Sequence, residues 1–275
     1  MTRVPARTLP LRPLTVGELL DTAVDVTRGA ARVLVPVALL LSVAEQAVMF
    51  FLRREFFDGA VLPDPTKLVG PAWGAVAIGA GLESLILALL GVVAGRAAAA
   101  AFVGQALPAR SAFRLGDLAG AVLIGLIAGI TTGTVTLLPL GWVIAYPLFG
   151  LAVPALVIDR RGVFGGLGRG VKMLFRTGGR PIGIRLLGYL GWLPLRLAFL
   201  FGGLAVADFV GLRGHTVPLL VAGAFTAVAN SFAYATLAGL DAVLHLETRV
   251  RTEGLDIALS RTAAPLSPAH LAVTV

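Results

Sequence analysis

Six long stretches of this chain are nearly free of charge, and short segments rich in arginine, proline and glycine separate them. At the rise of an α-helix, about 20 apolar residues cross the hydrocarbon of a bilayer. The stretches run roughly from Val33 to Leu52, Pro71 to Val103, Leu118 to Leu138, Trp142 to Ile158, Ile182 to Val210 and Val217 to Leu246. The fourth is short, while the second, fifth and sixth are long enough to tilt, kink or extend beyond the bilayer. The pattern predicts an all-α, polytopic membrane helix bundle of about six transmembrane helices. Leu138-Pro139-Leu140-Gly141 is a tight turn, and Trp142 and Tyr146 suit the membrane interface, so the third and fourth spans form a hairpin.

Two further segments have helical periodicity with a polar face. Thr15-Val16-Gly17-Glu18 fits a capping box, after which Val16, Leu19, Leu20, Ala23 and Val24 recur opposite Glu18, Asp21, Asp25, Arg28 and Arg32. This predicts an amphipathic helix lying on the membrane ahead of the first span. The charges in it interrupt any signal-peptide core, so the N-terminus is expected to be retained. Between Asp159 and Arg180, Val163, Leu167, Val171 and Leu174 share one helical face and Arg169, Lys172 and Arg176 another, which predicts a second interfacial helix. Glycines 162, 165, 166, 168 and 170 weaken that helix, each by about 1 kcal/mol relative to alanine. The organisation expected is a cytoplasmic segment over 1–31, a bundle over 32–247 with a basic interfacial loop over 159–181, and a cytoplasmic tail over 248–275.

Composition narrows the function classes. The chain is 57% hydrophobic and 14% charged, with no cysteine and a net charge of +8 that comes almost wholly from arginine. Absence of cysteine excludes disulfides, thiolate metal sites and thiol nucleophiles. Most of the basic residues fall on the side of the two termini. Only Arg53, Arg54, Lys67 and Arg213 fall on the other side, and Arg196 lies inside a span. By the positive-inside rule this predicts a multi-pass protein of the cell (cytoplasmic) membrane with both termini cytoplasmic. The basic loop residues Arg160, Arg161, Arg169, Lys172 and Arg176 are expected to meet anionic phospholipid of the bilayer, with docking of a cytoplasmic or membrane protein partner as the alternative. No segment is long enough for a basic nucleic-acid-binding domain.

Small residues recur at every fourth position in Ala121, Gly125, Gly129 and Gly133, and again in Gly223, Ala227, Ser231, Ala235 and Gly239. Such stripes permit close helix packing within the bundle, with a homodimer through one stripe as the alternative. Ionisable residues deep in hydrocarbon cost about 2.5 to 3.5 kcal/mol each unless paired or hydrated. Three qualify: Glu83 in the second span, Arg196 in the fifth just after Pro194, and Glu45 in the first beside Gln46. Arg196 is expected to pair with Glu83 or Glu45, as a structural ion pair or as a polar site for a headgroup, ion or substrate. Catalytic signatures are missing: there is no GxSxG, HExxH or phosphate-binding GK[ST], and Gly165-Gly166-Leu167-Gly168-Arg169-Gly170 lacks the spacing of a dinucleotide loop. His215, His245 and His270 are too scattered for a zinc site, and no cofactor is expected.

The two ends carry more specific motifs. Arg12-Pro13-Leu14-Thr15-Val16-Gly17-Glu18-Leu19-Leu20-Asp21 and Glu247-Thr248-Arg249-Val250-Arg251-Thr252-Glu253-Gly254-Leu255-Asp256-Ile257 resemble the opening and the closing DxRxRxEGxDL pattern of the bacterial glycerophosphoryl diester phosphodiesterase membrane-domain family. Glu247 stands where that pattern has aspartate, and His245 where it has an aromatic. The resemblance implies a six-span membrane module without the family's separate catalytic barrel. Physically, Glu18, Asp21 and Asp25 are expected to form salt bridges with Arg249 and Arg251, within a cluster that includes Glu253 and ties the termini together. The function expected is a non-enzymatic accessory or scaffold unit, with a small transporter or lipid-handling protein as the alternative.

Overall fold

Helices make up the fold of this computed structural model, which describes residues 12–57, 70–138, 140–214, 216–262 and 266–273, with no strand among them. Lys67, Pro139 and His215, used above, lie outside the described residues.

Helix α1 (Val16–Gly29) begins at the expected capping box: the Thr15 N–H donates to Glu18 Oε2 at 2.8 Å, and the Glu18 N–H donates to Thr15 Oγ1 at 3.3 Å. Its buried face is Leu19, Ala23 and Val26 with Thr22 and Thr27. After one residue, α2 (Ala31–Phe56) follows, then α3 (Pro71–Phe102) and α4 (Leu115–Thr136). All three are long and apolar enough to cross a membrane.

The fourth expected span is not one helix. It is divided into α5 (Gly141–Leu148) and α6 (Ala152–Val157). Pro147 and Pro154 each remove a ladder N–H, and Gly150 lies between them, so three successive helix-weakening positions fall within two turns. The broken segment nevertheless runs the full depth of the bundle. Gly141 sits against Val135 at the end of α4, Val153 fits over Gly91 of α3, and Leu156 reaches Gly120 near the start of α4.

Helix α7 (Val163–Arg176) packs along α6. Its inward face overlaps the one its apolar periodicity suggested: Leu174 is buried and Val163 and Leu167 pack against the core, with Gly166, Gly170 and Met173 buried beside them. A Cβ on Gly170 would stand 2.7 Å from the Ala152 nitrogen, so the glycines that weaken α7 as a helix let it dock directly on the α6 backbone. Phe164 and Phe175 point outward, 78% and 60% exposed, with Lys172 exposed beside them.

Two more long apolar helices complete the bundle: α8 (Arg180–Phe209) and α9 (Thr216–Glu253). Among the described residues, five helices are therefore long and apolar enough to cross a membrane, together with the broken segment of residues 141–157. The protein is a multi-pass, all-α membrane bundle. Helix α9 runs through its centre and packs against α1, α2, α3 and α8. It also continues as a helix past Leu246 into the segment expected as a cytoplasmic tail from 248, with Glu247, Thr248 and Arg249 buried. Gly254, at φ 62°, turns the chain into α10 (Leu255–Ser260).

Both small-residue stripes are used inside the bundle. On α4, Gly129 approaches the carbonyl of Gly81 on α3 so closely that a Cβ would lie 2.8 Å from that oxygen. On α9, a Cβ on Gly239 would lie 2.8 Å from Thr27 Oγ1 of α1. The apolar face of the first helix is thus covered by protein, with α9 the main neighbour.

Candidate functional site

Helices α3 and α8 do not pack along one another, and a cavity of about 440 Å³ backed by α9 lies between them. Its rim is formed by Arg53, Phe57, Trp73 and Leu140, which lie at the ends of α2, α3 and α4 remote from the chain termini. Its floor is polar, and side chains from four helices build it.

Arg196 of α8 crosses the cleft to Glu83 of α3, with Nη1 and Nη2 each 3.2 Å from a carboxylate oxygen. The same guanidinium donates from Nε to Asn230 Oδ1 at 2.8 Å and from Nη2 to the Tyr234 hydroxyl at 2.9 Å, both on α9. Asn230 donates to Glu45 of α2 at 3.1 Å and to the Tyr234 hydroxyl at 3.0 Å, and that hydroxyl donates to Glu45 at 2.9 Å. Tyr189 donates to Glu83 at 3.3 Å. The sequence-expected trio of Glu45, Glu83 and Arg196 is therefore in one network, with Glu83 as the direct partner of Arg196 and Glu45 joined through Asn230 and Tyr234.

The floor holds two carboxyls and one guanidinium. It is neutral only when one carboxyl carries a proton or when a cationic group joins it, and an excess charge is unfavourable in a low-dielectric setting. The next cation, Arg53, stands at the rim and donates to Gln46 at 3.1 Å. Trp142 and Tyr189 line the wall with ring centroids 4.5 Å apart, and the Arg196 guanidinium lies 5.3 Å from the Tyr189 ring. The cleft can accept a group with hydrogen-bond donors at its floor and an apolar body along its walls.

A second buried pair lies nearer the termini. Arg185 of α8 makes a two-pronged contact with Asp241 of α9, one arm at 3.0 Å, and its other nitrogen donates to the carbonyl of Tyr146. That carbonyl is in the last turn of α5, where the helical ladder ends, and Gly150 leaves the space that the guanidinium occupies. Arg185 is buried and closes the break between α5 and α6.

The first and last described segments approach one another, through Leu14 and Leu271, at the opposite end of the bundle from the cleft rim. Arg180 and Arg251 both donate to the carbonyl of Leu14, at 2.8 and 2.7 Å, and both pair with buried Glu247. Arg249 donates to Asp159 at 2.8 Å, to Glu253 at 3.1 Å and to the carbonyl of Leu271 at 2.6 Å. Arg169 also pairs with Asp159, and Arg169 and Arg176 hold Glu253 at 2.8 and 3.0 Å. Nε2 of buried His245 lies 3.1 Å from Asp159 but is not aligned as a hydrogen bond. Burial raises the Asp159 carboxyl, yet His245, Arg249 and Arg169 outweigh it and hold the group at about 2.

This arrangement corrects the expected pairing between the two ends. Glu18 is taken by Arg12 at 2.6 Å, and that hydrogen bond, with those from Thr15, lowers its carboxyl to about 2. Asp21 is exposed and Asp25 half-buried on α1, while Arg249 and Arg251 bind Asp159, Glu247, Glu253 and backbone carbonyls. The N-terminal segment joins Arg180 and Arg251 through a carbonyl acceptor, Leu14. The loop set also divides: Arg169 and Arg176 are engaged within the protein, whereas Arg160 and Lys172 are exposed and Arg161 is half-buried. Sequence reasoning missed Asn230, Tyr234, Tyr189, Asp241 and Asp159.

Comparison of the chain with protein-family models, with curated proteins and with solved structures returns no match.

Proposed function

We propose that this protein binds an amphiphile in the cleft between α3 and α8, as a small transporter or lipid-handling protein without catalytic activity. The observation that carries the reading is the polar floor of Glu45, Glu83, Arg196 and Asn230 beneath a cavity of about 440 Å³. Apolar walls around a few convergent polar groups are the usual make-up of a small-molecule site. The excess carboxyl and the aromatic wall favour a head that carries a cationic amine or several donors. The alternative expected from sequence, an accessory or scaffold unit, has less support: Arg169, Arg176, Arg249 and Arg251 are engaged within the chain and leave fewer charges for a partner.

The arginine bias supports termini in the cytoplasm of a bacterial cell and, with them, a cleft rim on the outer side. Membership of the glycerophosphoryl diester phosphodiesterase membrane-domain family remains part of this proposal. It is supported by the meeting of the two end motifs at Leu14, Glu247 and Arg251.

The test is extraction of small molecules from protein purified in mild detergent, with the Arg196→Met/Glu83→Leu variant alongside. An amphiphile retained by the parent and lost from the variant supports the reading. Equal recovery from both contradicts it, and a stoichiometric protein partner with no small molecule supports the scaffold instead.

A further inference from the structure

The groove between the N-terminal ends of α4 and α7 differs in chemistry from the cleft and lies at the other end of the bundle. It encloses about 600 Å³. Arg114, Arg160 and Arg161 line it, and among the described residues none of their side chains forms an ion pair or side-chain hydrogen bond. Asp117, the acidic residue in its lining, is already neutralised by Arg96 at 2.6 Å. Arg161 Nε is buried without a partner.

Neither bordering helix has a side-chain cap at its start: the α4 N-cap is Arg114 and the α7 N-cap is Gly162. Their free N–H groups and dipoles add positive potential to the three guanidiniums. Below this rim the lining becomes apolar at Leu123, Leu156 and Val157, with Leu156 packed over Gly120. Leu115 and Phe164, next in sequence to the lining residues Arg114 and Val163, are 87% and 78% exposed and offer hydrocarbon-seeking surface.

We infer that this groove is a binding site for one anionic phospholipid, with its phosphate among Arg114, Arg160 and Arg161 and an acyl chain along Leu123 and Val157. Charge complementarity selects an anion, and the apolar lower wall selects a lipid over a free phosphate. The site includes Arg114, which the basic loop alone would not have suggested, and omits Arg169 and Arg176, whose charges Asp159 and Glu253 already hold.

The experiment is native mass spectrometry of the full chain in a non-ionic detergent, titrated with phosphatidylglycerol, phosphatidylcholine or inorganic phosphate. One phosphatidylglycerol is expected to bind in preference to phosphatidylcholine. An arginine near an anionic lipid contributes about five-fold in affinity, so Arg114→Gln/Arg160→Gln/Arg161→Gln should weaken it by about 100-fold. The triple lysine variant should keep the preference, and Lys172→Gln should leave it unchanged. Arg160→Gln alone, at an exposed position, is expected to lower affinity about five-fold and serves if the triple variant does not fold. Equal binding of both lipids, or no loss in Arg160→Gln and the triple variant, would overturn the inference. Displacement of the lipid by millimolar phosphate would also overturn it, since the site would then take a small anion only.

Discussion

Replacing Arg196 by methionine removes the one guanidinium of the cleft floor. Four hydrogen bonds go with it: two to Glu83, one to Asn230 and one to Tyr234. Glu83 is buried and keeps only Tyr189 as a donor, at 3.3 Å. Breaking a buried pair from one side costs about 3 to 5 kcal/mol, whereas replacing both partners by apolar residues is often neutral or stabilising. For a chain of this size that loss corresponds to a fall in melting temperature on the order of 10 °C. The account therefore expects Arg196→Met to melt about 10 °C below the parent in detergent, and Arg196→Met/Glu83→Leu to recover most of the difference. If the single variant melts with the parent, or if the double variant is no better than the single, the floor is not a coupled network and the reasoning fails.

Gly150→Ala would place a methyl group where the Arg185 guanidinium lies, and is expected to destabilise by about 1 to 3 kcal/mol, measurable as a lowered unfolding midpoint. Thr15→Ala removes the α1 cap and should cost about 1 kcal/mol, seen as faster amide exchange in the first turn. Asp159 has a folded value of about 2 against an ordinary 3.8, so its stabilising effect is complete above about pH 4 and is lost as pH falls toward 2. Asp159→Asn should flatten that part of the stability curve by about 2 kcal/mol, and an unchanged acid limb would count against the ionic knot.

The spans, their hairpin and the α1 cap were legible in the sequence because each rests on local pattern: hydropathy over 20 residues, a turn sequence, a four-residue cap. Arg196 with Glu83 was legible because charges stand out in an apolar run. Asn230, Tyr234 and Tyr189 were not, since uncharged polar residues in such a run look the same whether they bind a neighbour or their own helix. Asp241 did carry a signal, a lone acid within the sixth span, but its partner Arg185 looked like part of the basic loop. Pro147, Gly150 and Pro154 carried a signal for the break in the fourth span, which the uniform hydropathy of that run hid. Glu247 with Arg251 and Arg249 with Glu253 were readable as pairs four residues apart on one helix, and these local pairs displaced the more distant acids of α1.

The central claim is that the cleft opens on the side of the membrane away from the termini. The chain has no cysteine, so Ala80→Cys in the cleft wall and Ser260→Cys on exposed α10 each introduce a single thiol. A membrane-impermeant maleimide applied to intact cells is expected to label Ala80→Cys and to reach Ser260→Cys only after permeabilisation. Labelling of Ser260→Cys in intact cells, with Ala80→Cys protected, would contradict the account.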